Sequence, residues 1–148
     1  MEIEFHEVRF VLEGNFLSNN HTRTKAWAEQ YLALADENRT HWNYGNAIHH
    51  ANIFLGRIAL KNGDIEAAKA YLINAGNTPG SPQLNSFGPN MSLAKELLEI
   101  GEISVVLMYF DLREKFWQLQ FQEMFGFHAW RSQIKNGQIP DFKANMAY

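Results

Sequence analysis

The sequence predicts an all-α protein, one domain over residues 1–148, built as a right-handed stack of about six or seven helices paired into hairpins. Three observations carry this expectation. Apolar residues recur at spacings of three and four almost everywhere after residue 22. Glycine and aspartate punctuate that pattern where helices should stop and start, most clearly at Gly63-Asp64. A small set of residues also repeats itself, with Ala28, Leu32 and Ala35 returning forty residues later as Ala68, Leu72 and Ala75.

Residues 1 to 20 fit two periods. Phe5, Val8 and Leu12 suit a helix, Ile3-Phe5 and Val8-Phe10-Leu12 suit strands, and the helix is the favoured reading. In 22–40 the period is plain: Trp27, Tyr31 and Leu34 share one helical face while Ala28, Leu32 and Ala35 line the next. From Trp42 to Asn62 the apolar stripe is Ile48, Ala51, Leu55, Ile58 and Ala59, and Gly63 stops it as a C-terminal cap. Asp64 then caps a helix running to about Ala75, with Ile65, Ala68, Leu72 and Ala75 inward and Gly76 at its end. A connection this short makes the two helices antiparallel neighbours.

The segment that follows, AGNTPGSPQLNSFGPNM, is longer than most connections in compact domains. Its chemistry is that of an ordered loop. Pro79, Pro82 and Pro89 restrict the backbone, Ser81-Pro82 suits the start of one helical turn, and Leu84 and Phe87 are apolar anchors that a solvated linker does not need. Gly88-Pro89-Asn90 turns into an asparagine cap. A helix from Asn90 to Ile100 and a partner from Glu102 to Trp117 come next, the partner apolar almost all round and therefore expected between two neighbours. A last helix, about 121–136, presents Phe127, Trp130 and Ile134 on one face and ends at Gly137.

The order Leu55-Gly56, Gly63, Ala68, Leu72, Ala75 and Pro79 resembles a tetratricopeptide repeat, whose two helices pack through small residues in that succession. Asn52 and Ala59 stand where the family usually carries larger aromatic side chains, and the proline comes one place early. The best repeat spans about 46–79. Weaker ones span about 22–40 and 90–117, the latter because Ala94, Gly101, Val106 and Phe110 repeat Gly56, Gly63, Ala68 and Leu72. The stretch from Gly45 to Met91 is also similar to a group of small bacterial tetratricopeptide-like proteins. That resemblance implies an α-solenoid whose first helices line a concave groove that binds peptides, and no particular chemistry.

Composition narrows the function. In 148 residues, 46% are hydrophobic and 20% charged, enough for one real core. The formal net charge of −3 gives no general attraction to nucleic acid. Absence of cysteine removes disulfides and thiolate chemistry. MEIEFHEVRF has neither a basic start nor an uninterrupted apolar run, and ISVVLMYF is too short to span a bilayer, so a cytoplasmic protein without membrane association is expected.

Two groups of residues are candidates for binding. Asn46, His50, Ile53, Arg57 and Lys61 follow one another along one face of the 42–62 helix, outside its apolar stripe. If that face lines a groove, Arg57 and Lys61 hold a carboxylate or phosphate, with His50 and Asn46 as hydrogen-bonding neighbours; otherwise it is a solvated helix face. The loop offers Gln83, Asn85, Ser86 and Asn90, or it merely bridges two repeats. His49 is a candidate acid or base, but no nucleophile motif, phosphate loop or H-E-x-x-H accompanies it. Adjacent His49 and His50 diverge by about 100° on a helix, and His41 with His49 lacks a third ligand, so no metal and no cofactor is expected.

Three readings follow. The favoured one is a non-catalytic module for a protein or peptide partner, an acidic one included, held in the groove and by the 77–90 loop. The second is a small helical enzyme or metabolite-binding protein with its site between the His50-Arg57 strip and that loop. The third is a homodimer formed through the C-terminal helix, because Phe110, Phe116, Phe121, Phe125, Phe127 and Phe142 crowd the end of the chain where a solenoid normally turns polar, unless that helix folds back and buries its aromatics in the stack. On the first reading a chelator leaves the fold and any binding intact, and elemental analysis of purified protein finds no stoichiometric metal; stoichiometric zinc or iron overturns that expectation.

Overall fold

The structure, a computed structural model, describes residues 2–147, and among them every regular element is helical. Nine helices are present there, more than the six or seven expected, because the long loop and the C-terminal segment each contribute an extra short one.

The N-terminal segment adopts the helical alternative. After a 3₁₀ turn at Phe5–Glu7, α1 (Val8–Leu17) buries Val8, Leu12 and Phe16, one residue per turn, and leaves Phe10, which a strand would turn to the same face, 64% exposed. Asn20 caps α2 (His21–Glu37), its side chain accepting from the Arg23 amide at 3.3 Å. Ala28, Tyr31 and Ala35 of α2 are buried against α1 and α3.

The long helix α3 (Tyr44–Lys61) lies at the centre. Ala47, Ala51, Phe54, Leu55 and Ile58 pack with α1 and α2, whereas Ile53 belongs to a second apolar cluster with α4, α6 and α7. The sequence places Ile53 on an outward strip; in the fold it is fully buried. The helix is covered on nearly every side for most of its length, so the solvated-face reading of Asn46 and His50 is corrected: both are buried. The expected caps are present between α3 and α4 (Ile65–Gly76), with Asp64 accepting from the Ala67 amide at 3.0 Å. Helices that follow one another in the chain pair first, α1 with α2, α2 with α3 and α3 with α4; α4 then packs on α7 (Ile103–Glu114), and α3 on α6 (Ser92–Glu99).

Between α4 and α6 the loop carries α5 (Pro82–Phe87), with Pro82 in its first turn and the Ser81 hydroxyl accepting from the Leu84 amide at 3.0 Å. Gly45 is where the loop meets α3. A Cβ on Gly45 would lie 1.8 Å from the Gly80 carbonyl oxygen, so only a glycine allows the loop backbone to come this near the helix.

The C-terminal segment is two helices where one was expected. Gly126, at φ 82°, breaks the run into α8 (Leu119–Phe125) and α9 (Phe127–Lys135). The break lets Phe127, Trp130 and Ile134 turn inward beside Phe110 and Trp117, with Trp130 edge-on to Phe142 at 5.0 Å. Phe116, Phe121 and Phe125 pack partly buried on the same cluster. The aromatics that prompted the homodimer reading therefore face the molecule's own core.

The two glycines of α3 rank the tightness of these contacts. Gly45→Ala meets backbone and should cost about 3 kcal/mol, whereas Gly56→Ala meets chiefly the end of the Leu93 side chain, 2.3 Å from the new Cβ, and should cost about 1 kcal/mol. Urea unfolding of both variants checks the order; the reverse order would mean that the 78–80 turn is free to move away.

Candidate functional site

Asn46 is the hinge between helix stack and loop. Its amide nitrogen donates to Asn43 Oδ1 at 3.1 Å and to Gln83 Oε1 at 3.0 Å, and its oxygen accepts from the Ser81 hydroxyl at 2.5 Å. Asn43 in turn donates to the Tyr31 hydroxyl at 2.8 Å, so a continuous polar chain links α2, α3 and α5. Every hydrogen-bonding position of the Asn46 side-chain amide is thereby used except one acceptor site. This residue positions the loop.

Beside it lies a hollow of about 260 Å³ lined by Arg9, Asn46, His50, Gln83, Leu84 and Phe87. A second hollow of about 200 Å³ adjoins it through Arg9, Asn46 and Gln83 and extends to His6, Phe10 and Trp42. The site thus draws on α1, α3 and α5 together. His50 is buried, with Nδ1 donating to the Asn46 carbonyl at 2.9 Å, which makes Nε2 the acceptor nitrogen of the neutral ring.

Of the residues selected from sequence, Asn46, His50 and Gln83 meet here. The others do not. His49 is fully buried and points into the scaffold, where Nδ1 donates to the Ala75 carbonyl at 3.0 Å and Nε2 accepts from the Asn90 amide at 2.9 Å. Both nitrogens are committed to backbone, which leaves none for acid-base work. Burial pushes its pKa down to about 3, helped by the Arg113 charge and opposed by the bond to Ala75. Asn90 is equally committed: its side-chain oxygen accepts from the Ser92 amide at 2.8 Å, and its carbonyl accepts from the Tyr109 hydroxyl at 2.7 Å.

Asn85 and Ser86 also serve the loop. With its amide oriented to satisfy its neighbours, Asn85 donates to the Phe116 and Ser81 carbonyls, and the Ser86 carbonyl accepts from Trp117 Nε1 at 3.3 Å. Arg57 pairs with Glu96 of α6 and lies over the Phe16 ring, 4.4 Å from its centroid. Lys61 is exposed, 5.6 Å from the same centroid. Seven residues beyond His50 on a helix is about 10 Å, so the strip divides into a pocket half and a half that braces α1 and α6. The expectation of Arg57 and Lys61 as the anion-holding pair is corrected accordingly.

Sequence reasoning missed Arg9. It sits one residue past Val8 on a helix whose period was ambiguous, and nothing local links it to a loop more than seventy residues away. Burial lowers its pKa, with Glu13 and Tyr31 opposing. Among the described residues no three His, Asp or Glu side chains converge as a metal site, and no helix is long and apolar enough to cross a membrane. Compared with family models, curated proteins and solved structures, the chain matches none, so the tetratricopeptide resemblance gains no support from that quarter.

The state of His49 makes stability depend on pH. Below about pH 6.5 the unfolded imidazole takes up a proton, which the folded one refuses down to about pH 3. Its contribution is complete above that upper limit and is lost as pH falls through the window, at up to about 1.4 kcal/mol per pH unit. His49→Gln should be less stable than wild type at neutral pH, with the gap closing as pH falls in urea-unfolding series. Parallel pH profiles would contradict this assignment.

Proposed function

We propose that the chain is a non-catalytic ligand-binding domain whose site is the pocket between α1, α3 and α5. The observation that carries this reading is convergence: Arg9, Asn46, His50 and Gln83, from three elements far apart in sequence, surround one hollow while the remaining candidate residues are used in structure. A pocket that combines apolar walls with a few convergent polar groups is the usual form of a small-ligand site.

The tetratricopeptide-like arrangement belongs to the same proposal. Successive hairpins α1–α2, α3–α4 and α6–α7 support it, as do the contacts of α3 with both α1 and α6 and of α4 with α7. In such a stack the first helices line the groove for a peptide. Here that side of α3 receives the protein's own loop, through Ser81 and Gln83 on Asn46 and Asn90 on His49. The tail joins it, Asn145 donating to the Phe87 and Pro89 carbonyls at 3.0 Å each. An extended peptide has less room than the earlier expectation allowed, and a compact ligand in the remaining pocket is the better match.

Catalysis by the histidines is less well supported, because His49 is locked at both nitrogens and, among the described residues, no carboxylate or nucleophilic side chain lines the hollow with His50. A fragment screen read by amide NMR shifts tests the reading. Hits should perturb Asn46, Gln83 and Leu84, and Gln83→Trp, which fills the mouth from an exposed position, should abolish those shifts while moving the thermal midpoint by no more than about 3 °C. Fragments that bind the variant unchanged would locate the site elsewhere.

A further inference from the structure

This inference rests on the pocket reading above and concerns what the pocket takes. Among the described residues, both adjoining hollows carry the Arg9 guanidinium in their walls and neither carries an aspartate or glutamate. Arg9 itself is short of acceptors: Nη2 donates to the Ala147 carbonyl at 3.0 Å, Nε is buried without a hydrogen-bond partner, and no carboxylate forms an ion pair with it among the described residues. Glu13, one turn along α1, acts on it through space only. A guanidinium has five N–H donors, so an acceptor placed in the hollow meets a cation whose needs are largely unmet.

Gln83 adds direction. Its Oε1 is held by Asn46, which fixes the amide orientation and leaves Nε2 as a second donor near the mouth. The rim adds shape. Phe10, Trp42 and Phe87 are 64%, 51% and 52% exposed around these hollows. The Trp42 indole is flanked by His6 at 5.5 Å and His41 at 5.4 Å, which holds its plane in place. Single exposed aromatics are ordinary, but Phe10 and Trp42 together at one mouth offer ring faces on which another ring can stack.

Size sets the limit. Hollows of about 260 and 200 Å³ are each below the usual range for a drug-sized ligand, about 300 Å³ upward, and leave space for one ring system and one small polar group. One guanidinium and one amide suit the two coplanar oxygens of a monoanion better than the three oxygens and double charge of a phosphate. We propose that the pocket binds a planar aromatic carboxylate, the carboxylate held by Arg9 and Gln83 and the ring against the Phe10 and Trp42 rim.

The test compares 4-hydroxybenzoate and indole-3-carboxylate with the corresponding neutral amides, by amide NMR titration of the full chain. The carboxylates should bind about tenfold or more tightly than their amides, a difference that one charge-assisted contact supplies. Arg9→Gln should abolish the preference while the amides bind as before. Should that variant not fold, Gln83→Leu should reduce the preference, and added salt should weaken the carboxylates but not the amides. Equal binding of acids and amides would overturn the anion inference and leave the pocket standing. No shift with either pair, in a protein whose pocket still responds to other fragments, would overturn the ligand class alone, and a pocket silent to every fragment would overturn both proposals.

Discussion

One buried imidazole ties together the parts of the chain that build the pocket. His49 leaves the central helix, donates to the last turn of α4 and accepts from the Asn90 amide of the loop. A protonated ring would have two donors facing one acceptor and one N–H, so only the neutral tautomer with hydrogen on Nδ1 fits. The loop then has a fixed end. From it Asn90 reaches Tyr109 and Ser92, and Asn46 receives Ser81 and Gln83. A segment rich in proline and glycine is thereby held in one conformation by bonds to elements on both sides, which is why a pocket wall can be built from it.

The same region contains Arg113, a fully buried cation without a carboxylate partner among the described residues. Its Nη2 donates to the Gly76 carbonyl at the end of α4, where the helix dipole is negative, and its guanidinium lies 4.1 Å from the Phe116 centroid and 5.1 Å from that of Tyr109. Burial pushes its pKa down to about 10, still far above neutrality. Arg113 therefore stays charged and His49 gives way, chiefly because burial disfavours its charged form and further because the Arg113 charge repels a second cation. The choice of which group remains neutral follows from intrinsic basicity, and it turns a residue that looks catalytic into a structural clamp.

Arg9 differs from Arg113 in a way that separates support from recognition. Arg113 stands over aromatic rings with a helix end beneath it, and none of the hollows described above includes it. Arg9 stands at the wall of two hollows, where it donates to the Ala147 carbonyl and lies 5.9 Å from the Phe10 centroid. Both keep donors without a hydrogen-bond partner among the described residues, Nε and Nη1 of Arg113 and Nε of Arg9, but only Arg9 stands where a ligand can approach.

Much of the fold was legible in the sequence, because its signals act within one or two helical turns. The Asp64 cap, the single turn begun by Ser81-Pro82 and the stripe at Ala68, Leu72 and Ala75 all follow from contacts between residues three or four apart, and each is present. The break at Gly126 was missed because glycine within a helical period is tolerated or not according to what the following side chains must reach, here the cluster around Trp117. Asn46, His50 and Gln83 could be selected as polar residues left over from the core pattern. Their meeting with Arg9 could not, since no local period relates α1 to the loop. Most telling is the pair His49 and His50: adjacent and chemically identical, they were separated only by tertiary structure, because about 100° of helical rotation turns one ring toward the Ala75 carbonyl and the Asn90 amide and the other toward the pocket.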